Sequence, residues 1–408
     1  MSATRNYAVV TASYWSFTLT DGALRMLVLL HFYSLGYTPF MLAFLFLLYE
    51  SAGLFANLGG GWLAAKFGIP RMLAVGLVLQ IGGLLMLSAL DPGWGATASI
   101  AWVVAAQGVA GVAKDLTKTA SKSAIKATSG GGAGQLFRWV AWFTGSKNAM
   151  KGFGFFVGGL LLQVVGFRPA LWLMAGMLAL VLANVVLSLP RELGKAKASR
   201  SFRELFAKSR AINLLAAARI FMFGSRDVWF VVGLPIFLYS YGWPYMHVAG
   251  FIAAWTIAYG AVQAVAPSIV TRSTDGLSRE VPAARLWGGV LTAITVTLAL
   301  VTASGVARLD LVVVVGLLIF GIAFAVISSL HSYLILAYAG SEKAAEDVGF
   351  YYAANAAGRL TGILFSGALT QLGGLAACLW GSAIMLTLCL VLTFMLPTAV
   401  TAPTHLPA

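Results

Sequence analysis

Windows of about twenty apolar residues recur along almost the whole of this 408-residue chain, and that recurrence restricts it to one kind of fold. A window of that length crosses a hydrocarbon core of about 30 Å as a helix. Inside lipid no water is available, so each segment has to satisfy its own backbone polar groups, as a helix does. Hydrophobic residues make up 60% of the chain and charged residues 10%, against about 25% charged in a soluble domain. The expectation is therefore an all-α integral membrane protein with no soluble domain. The N-terminal MSATRNYAVV has no basic region followed by a small-residue cleavage site, so no removed signal peptide is expected.

Twelve transmembrane helices are expected, near 7–36, 39–67, 70–91, 98–126, 134–165, 167–190, 211–241, 244–272, 283–304, 309–338, 344–373 and 374–397. Gly-Pro and Gly-aromatic pairs punctuate many of the turns, as in GYTP at 36–39 and GWP at 242–244. Every second loop is basic, holding Lys66 and Arg71, then Lys126 and Arg138, then Arg191 through Arg210, then Arg272, Arg279 and Arg285, then Lys343. Short loops rich in Lys and Arg stay cytoplasmic, which places both termini inside and accounts for much of the net charge of +14. Cys378 and Cys389 lie roughly 16 Å apart along one helix. They are expected to be packing or lipid-facing residues rather than a disulfide.

The hydrophilic run at 191–210 divides the chain into an N-terminal six-helix bundle, 1–190, and a C-terminal one, 211–408. Phe202, Leu205 and Phe206 suggest a short amphipathic helix within this linker. The two halves repeat each other. Asp21 and Asp227 each stand 15 residues before a turn glycine, and Lys151, Gly154, Gly159, Gln163 and Gly166 align at one offset with Arg359, Gly362, Gly367, Gln371 and Gly374. Parallel six-span repeats with a site between them at mid-membrane describe the major facilitator architecture. The loop GGGWLAAKFGIPR at 59–71 resembles that superfamily's Gly-x-Leu-Ala-Asp-Arg-x-Gly-Arg motif, with Ala65 at the acidic position.

Charges inside the membrane single out the candidate site, since each costs roughly 2.5–3.5 kcal/mol near the bilayer centre. Asp21 and Arg25 sit one turn apart in span one and can face each other as an i,i+4 pair. Glu50 lies mid-span two, Asp115 beside Lys114 in span four, Arg226 and Asp227 together in span seven, and Arg359 at the centre of span eleven. Structural ion pairing and substrate contact are both open for these residues. Pairing cannot absorb the excess of cations, because Lys114, Lys118, Lys122 and Lys126 form an i+4 stripe, and Lys147, Asn148 and Lys151 follow in span five. Arg219 adds another cation in span seven. Such a field suits a multiply charged oxyanion, gripped by Arg as a fork and by Lys as a point charge. Arg25, Lys114, Lys118, Lys147, Asn148, Lys151, Arg226 and Arg359 are the candidate substrate-binding residues. Asp21, Glu50, Asp115 and Asp227 are the candidate proton-coupling or ion-pair carboxylates, with Glu50 and Asp115 foremost as proton carriers. The lysine stripe of span four finds only Ile327, Ser328 and His331 in the matching part of span ten, so the positive field is expected to be lopsided toward the N-terminal half.

No Ser/His/Asp set, metal-ligand cluster or phosphate loop marks an enzyme, and neither a metal nor a cofactor is expected. A transporter of small anions fits best, with a non-transporting receptor as the contrasting class.

The runs NYAVVTASYWSFTLTDGALRMLVLLHF, KDLTKTASKSAIK, TGSKNAMKG, LPRELGKAKA, KSRAINLLAAAR and RDVWFVVGLP resemble the organoarsenical efflux permeases of the ArsJ type, a branch of the major facilitator superfamily. The likeness covers nearly the whole chain. It implies a monomeric, multi-pass protein of the bacterial inner membrane that exports 1-arseno-3-phosphoglycerate, with proton antiport as the conventional coupling. Glyceraldehyde-3-phosphate dehydrogenase, which makes that ester when arsenate replaces phosphate, is the implied functional partner. The resemblance assigns no binding residues. An exchanger of organophosphates or phosphate with the same fold is the alternative.

Overall fold

A computed structural model describes residues 3–52, 68–128, 133–190, 209–269, 273, 277–338 and 344–398, with only the backbone at 3–4, 122–123, 125–128, 133–145, 267–269, 336 and 344–349. The linker helix suggested within 191–210 and most of the 59–71 loop motif lie outside the described residues. The described chain is helical, with no strand. The helices are α1 (Ala3–Ser34), α2 (Pro39–Leu45), α3 (Ile69–Ser88), α4 (Ala96–Thr128), α5 (Ala133–Val164) and α6 (Phe167–Ser188). They continue as α7 (Arg210–Phe230), α8 (Gly233–Ser240), α9 (Tyr245–Ile269), α10 (Glu280–Ala303), α11 (Leu309–Tyr338) and α12 (Ala344–Phe394). Local chemistry starts several of them. Thr38 caps α2 through Met41 N with Pro39 in the first turn, and Ser209 caps α7 by accepting from Ile212 N at 3.3 Å.

Among the described residues, eight helical stretches are long and apolar enough to cross a membrane. The stretch 350–394 covers the two spans expected on either side of Gly373 and Gly374, where the helix kinks. α1 and α5, at 32 residues each, are long enough but are not among the eight. Their polar faces, carrying Asp21 and Arg25 or Lys147 and Lys151, lower the apolarity that a hydropathy window reads. Large apolar side chains such as Leu187 and Leu372 are more than 80% exposed, as a lipid-facing surface requires. The stretch Arg210–Ser240 is 72% buried and Glu280–Ala303 only 28%, so α7 lies centrally and α10 at the periphery. Cys378 and Cys389 are free and buried, which makes them packing residues.

α1 packs against α4, α5 and α6, and α3 against α4 and α6; later in the chain α7 packs on α12, α10 on α11 and α12, and α9 on α11. Two extensive pairings join these groups, α5 with α9 and α2 with α12, beside a smaller contact of α1 with α8. The repeated glycines explain the register. A Cβ on Gly154 would strike the Leu19 carbonyl, and one on its counterpart Gly362 would lie 2.7 Å from the Gly224 carbonyl oxygen. Gly159 and Gly367 do the same across the groups, against Tyr245 of α9 and Pro39 of α2. The repeated glutamines complete the pattern: Gln163 Oε1 accepts from Met246 N and Gln371 Oε1 from Phe40 N, both at 3.3 Å. Each caps the first turn of the helix facing it. Tyr33 meets Tyr239 edge-on beside them, so the groups touch at the end holding the left-handed turn glycines Gly36 and Gly242.

Gly362→Val should lower stability by about 1–3 kcal/mol through overpacking. Gly289→Val, where nothing lies within 4 Å, should leave it near wild type. Thermal unfolding of the two purified variants in detergent checks the contrast.

Candidate functional site

α2 continues as helix through Ala52 and brings Glu50, 2% exposed, to the middle of the molecule. Three cations from three other helices converge on its carboxylate. Arg359 Nη2 of α12 lies 2.7 Å from Oε1, Arg25 Nη1 of α1 3.4 Å from Oε1, and Lys114 Nζ of α4 3.7 Å from Oε2. Arg359 also donates from Nε to Asp227 Oδ2 at 3.2 Å, while Arg226 donates to Asp227 Oδ1, at 2.7 Å from its Nε. The result is one continuous network, Lys114–Glu50–Arg359–Asp227–Arg226, with Arg25 on its hub. Its central contact joins α2 to α12, one of the two extensive pairings between the groups.

Aromatic faces support the cations. Lys114 Nζ stands 3.8 Å above the Tyr49 ring, whose hydroxyl donates to Asp21, and Arg25 stacks on Phe46 at 5.3 Å. Lys151 lies 5.7 Å from the Phe155 centroid and within the fields of Asp21, Glu50, Arg25 and Arg359. The repeat equivalence of Lys151 and Arg359 thus becomes spatial: each stands near the aspartate of the facing helix, Asp21 or Asp227.

Several expectations change in three dimensions. Asp21 and Arg25 do not pair with each other; Arg25 turns to Glu50 and Asp21 to Tyr49, because these partners from α2 reach both groups. Glu50 is occupied as an ion-pair hub. Asp115, 2% exposed, pairs with Lys118 at 3.7 Å along α4, and its Oδ2 has no partner among the described residues. Asn148 packs against Gly260 in the α5–α9 interface rather than on the network, and Lys147 is partly buried one turn before Lys151. The side chains of Lys122 and Lys126 lie outside the described residues. Tyr49 escaped sequence reasoning, since one tyrosine among apolar residues carries no signal. Arg219 was visible as a membrane cation but not as a site residue. It is 3% exposed and donates to Ser328 of α11 at 3.2 and 3.3 Å.

The chain belongs to the major facilitator superfamily, whose sequence model matches residues 9–346. It is a transporter by family, not an enzyme. Solved structures with the same fold include the nucleoside transporter NupG (a D323A mutant), at TM-score 0.73 and 15% identity, and a proton-dependent oligopeptide transporter, at 0.70 and 12%. A bacterial homologue of the iron transporter ferroportin, in an outward-facing state, gives 0.65 and 14%. Each similarity covers 96% of this chain and 98% of the other. No curated protein sequence matches the chain.

Removing one partner of a buried ion pair costs roughly 3–5 kcal/mol, because the other charge is left uncompensated. Glu50→Gln should therefore destabilise the protein strongly. The double variant E50Q/R359Q should lose less than the two single losses combined, since the charges disappear together. Thermal unfolding of the four proteins gives the coupling, and strictly additive losses would contradict a direct Glu50–Arg359 pair.

Proposed function

We propose that this transporter exports a multiply charged organic anion, and specifically the arsenate ester 1-arseno-3-phosphoglycerate. The observation that carries the reading is the charge balance of the central network. Among the described residues, Arg25, Lys114, Lys151, Arg226 and Arg359 are brought together with Asp21, Glu50 and Asp227. A positive excess at that depth is costly unless an anion or water screens it. The ester would carry on the order of three to four negative charges, by analogy with phosphate monoesters. The sequence resemblance to permeases of the ArsJ type supports the same substrate. Arsenite would call for thiolates, whereas Cys378 and Cys389 are buried in helix packing.

In this reading residues 1–190 and 211–408 are two six-helix bundles joined by the 191–210 linker, with both termini cytoplasmic. The basic-loop rule makes the closed end at Gln163 and Gln371 the outer one, so the network opens to the cytoplasm. Lys114, Lys151, Arg25 and Arg359 grip the anion, with Lys118, Lys147 and Asn148 along its approach. Binding competes with Glu50 for Arg359 and loosens the contact between the bundles, which couples occupancy to the change of access. Asp115 is the proton carrier. The protein works as a monomer in a bacterial inner membrane, supplied with ester by glyceraldehyde-3-phosphate dehydrogenase.

Co-expression with a glyceraldehyde-3-phosphate dehydrogenase in an arsenate-sensitive host should raise arsenate tolerance and lower cell arsenic. Lys114→Ala and Lys151→Ala should abolish both effects while the proteins still insert. Unchanged tolerance with the wild-type protein would reject the substrate. Counterflow of labelled phosphate or 3-phosphoglycerate without arsenate would point instead to an organophosphate exchanger.

A further inference from the structure

Arg219 presents a second concentration of hydrogen-bond donors, outside the Glu50 network. Arg219 Nη1, Tyr259 Oη and Gln263 Nε2 converge on the single hydroxyl of Ser328 at 3.3–3.4 Å. A serine hydroxyl has two lone pairs, so three donors exceed what it can accept. Arg219 Nε and both ring nitrogens of His331 are buried with no partner among the described residues, and His331, 0% exposed, lies within the field of Arg219. Among the described residues the guanidinium contacts Ser328 and the faces of Phe223 and Tyr351, with no carboxylate. An arginine held only as a helix tether would be expected to have its charge and N–H groups answered, because leaving them buried and unanswered is costly. Among the described residues this cluster has donors to spare and no anionic group to balance the guanidinium.

Its position relative to the central network is equally specific. Arg219, Phe223 and Arg226 follow i, i+4, i+7 spacing and share one face of α7. The guanidinium carbons of Arg219 and Arg226 lie 4.1 and 4.9 Å from the same Phe223 ring centroid. Both guanidiniums therefore rest on one aromatic ring and are at most 9.0 Å apart, a spacing suited to a short carbon backbone with a charge at each end.

We propose that Arg219, His331 and the donors gathered on Ser328 form a second anion subsite, which takes the far charged group of a two-ended organic anion whose other end sits on the Arg226–Arg359 network. The inference rests on the organic-anion reading above and adds a selectivity to it. An anion with two charged ends is held at both, one with a single charged end only by the central network, and Phe223 sets the distance between them.

The test uses the purified full-length protein and ligand-induced thermal shifts with two probes of equal backbone length. These are 3-phosphoglycerate, charged at both ends, and glycerol 3-phosphate, charged at one. Wild type should bind 3-phosphoglycerate at least tenfold more tightly. Arg219→Gln should abolish that preference while changing glycerol 3-phosphate affinity less than about twofold, and Arg219→Lys should keep most of it. Should Arg219→Gln fail to fold, His331→Ala, which removes one donor and no charge, should reduce the preference about threefold. Equal weakening of both probes would reduce Arg219 to a packing role and overturn the subsite, as would a wild type without preference. A wild type that binds neither probe would overturn the organic-anion reading and this inference together.

Discussion

The contact between Arg359 and Glu50 is the interaction on which the centre of this protein depends. It is a buried charge pair between α12 and α2, and both partners are shared. Glu50 also answers Arg25 and Lys114, and Arg359 also answers Asp227. A buried charge is tolerable only while its partners stay in place. Four helices are thus held in one arrangement by one carboxylate and the cations around it. A contact that is strong when complete and unfavourable when opened behaves as a two-state element, which the proposed change of access would use.

Packing makes this arrangement possible. Helices that carry charge toward one another must approach closely, and Gly154 and Gly362 let α5 and α12 lie against the backbones of α1 and α7. The same two helices use Gly159 and Gly367 to meet the opposite group, and Gln163 and Gln371 to cap the facing helices. One sequence pattern, used twice, serves both the packing within each group and the junction between them. The charges riding on it differ. Lys151 and Arg359 are equivalent by repeat, but Arg359 has Glu50 of span two as a close partner, whereas span eight offers Lys151 no acidic residue at the matching place.

The expected imbalance of positive charge changed for a similar reason. Ser328 and His331 stand where the lysine stripe has its counterpart and bring no cation themselves. They instead surround Arg219, which arrives from α7. Pattern comparison matched helix to helix and could not see that the second half draws its cation from a different helix. The expected Asp21–Arg25 pair failed on the same ground. Spacing of i,i+4 makes a pair possible, but the neighbouring Tyr49 and Glu50 of another helix offered both residues other partners.

Twenty-residue apolar windows, a repeated Lys/Arg–Gly–Gly–Gln register and charges within the apolar stretches were enough, from the sequence alone, for a helical membrane protein with an internal repeat and buried cations. Those features follow from local chemistry: hydrocarbon thickness, backbone hydrogen bonding and the cost of charge in lipid. The partners of each charge were decided only by tertiary structure. Glu50 became a hub, Asp21 turned to Tyr49, Asn148 went to a helix interface and Arg219 was left rich in donors, because ion pairing in a low-dielectric interior depends on separations of a few ångströms between helices far apart in the chain.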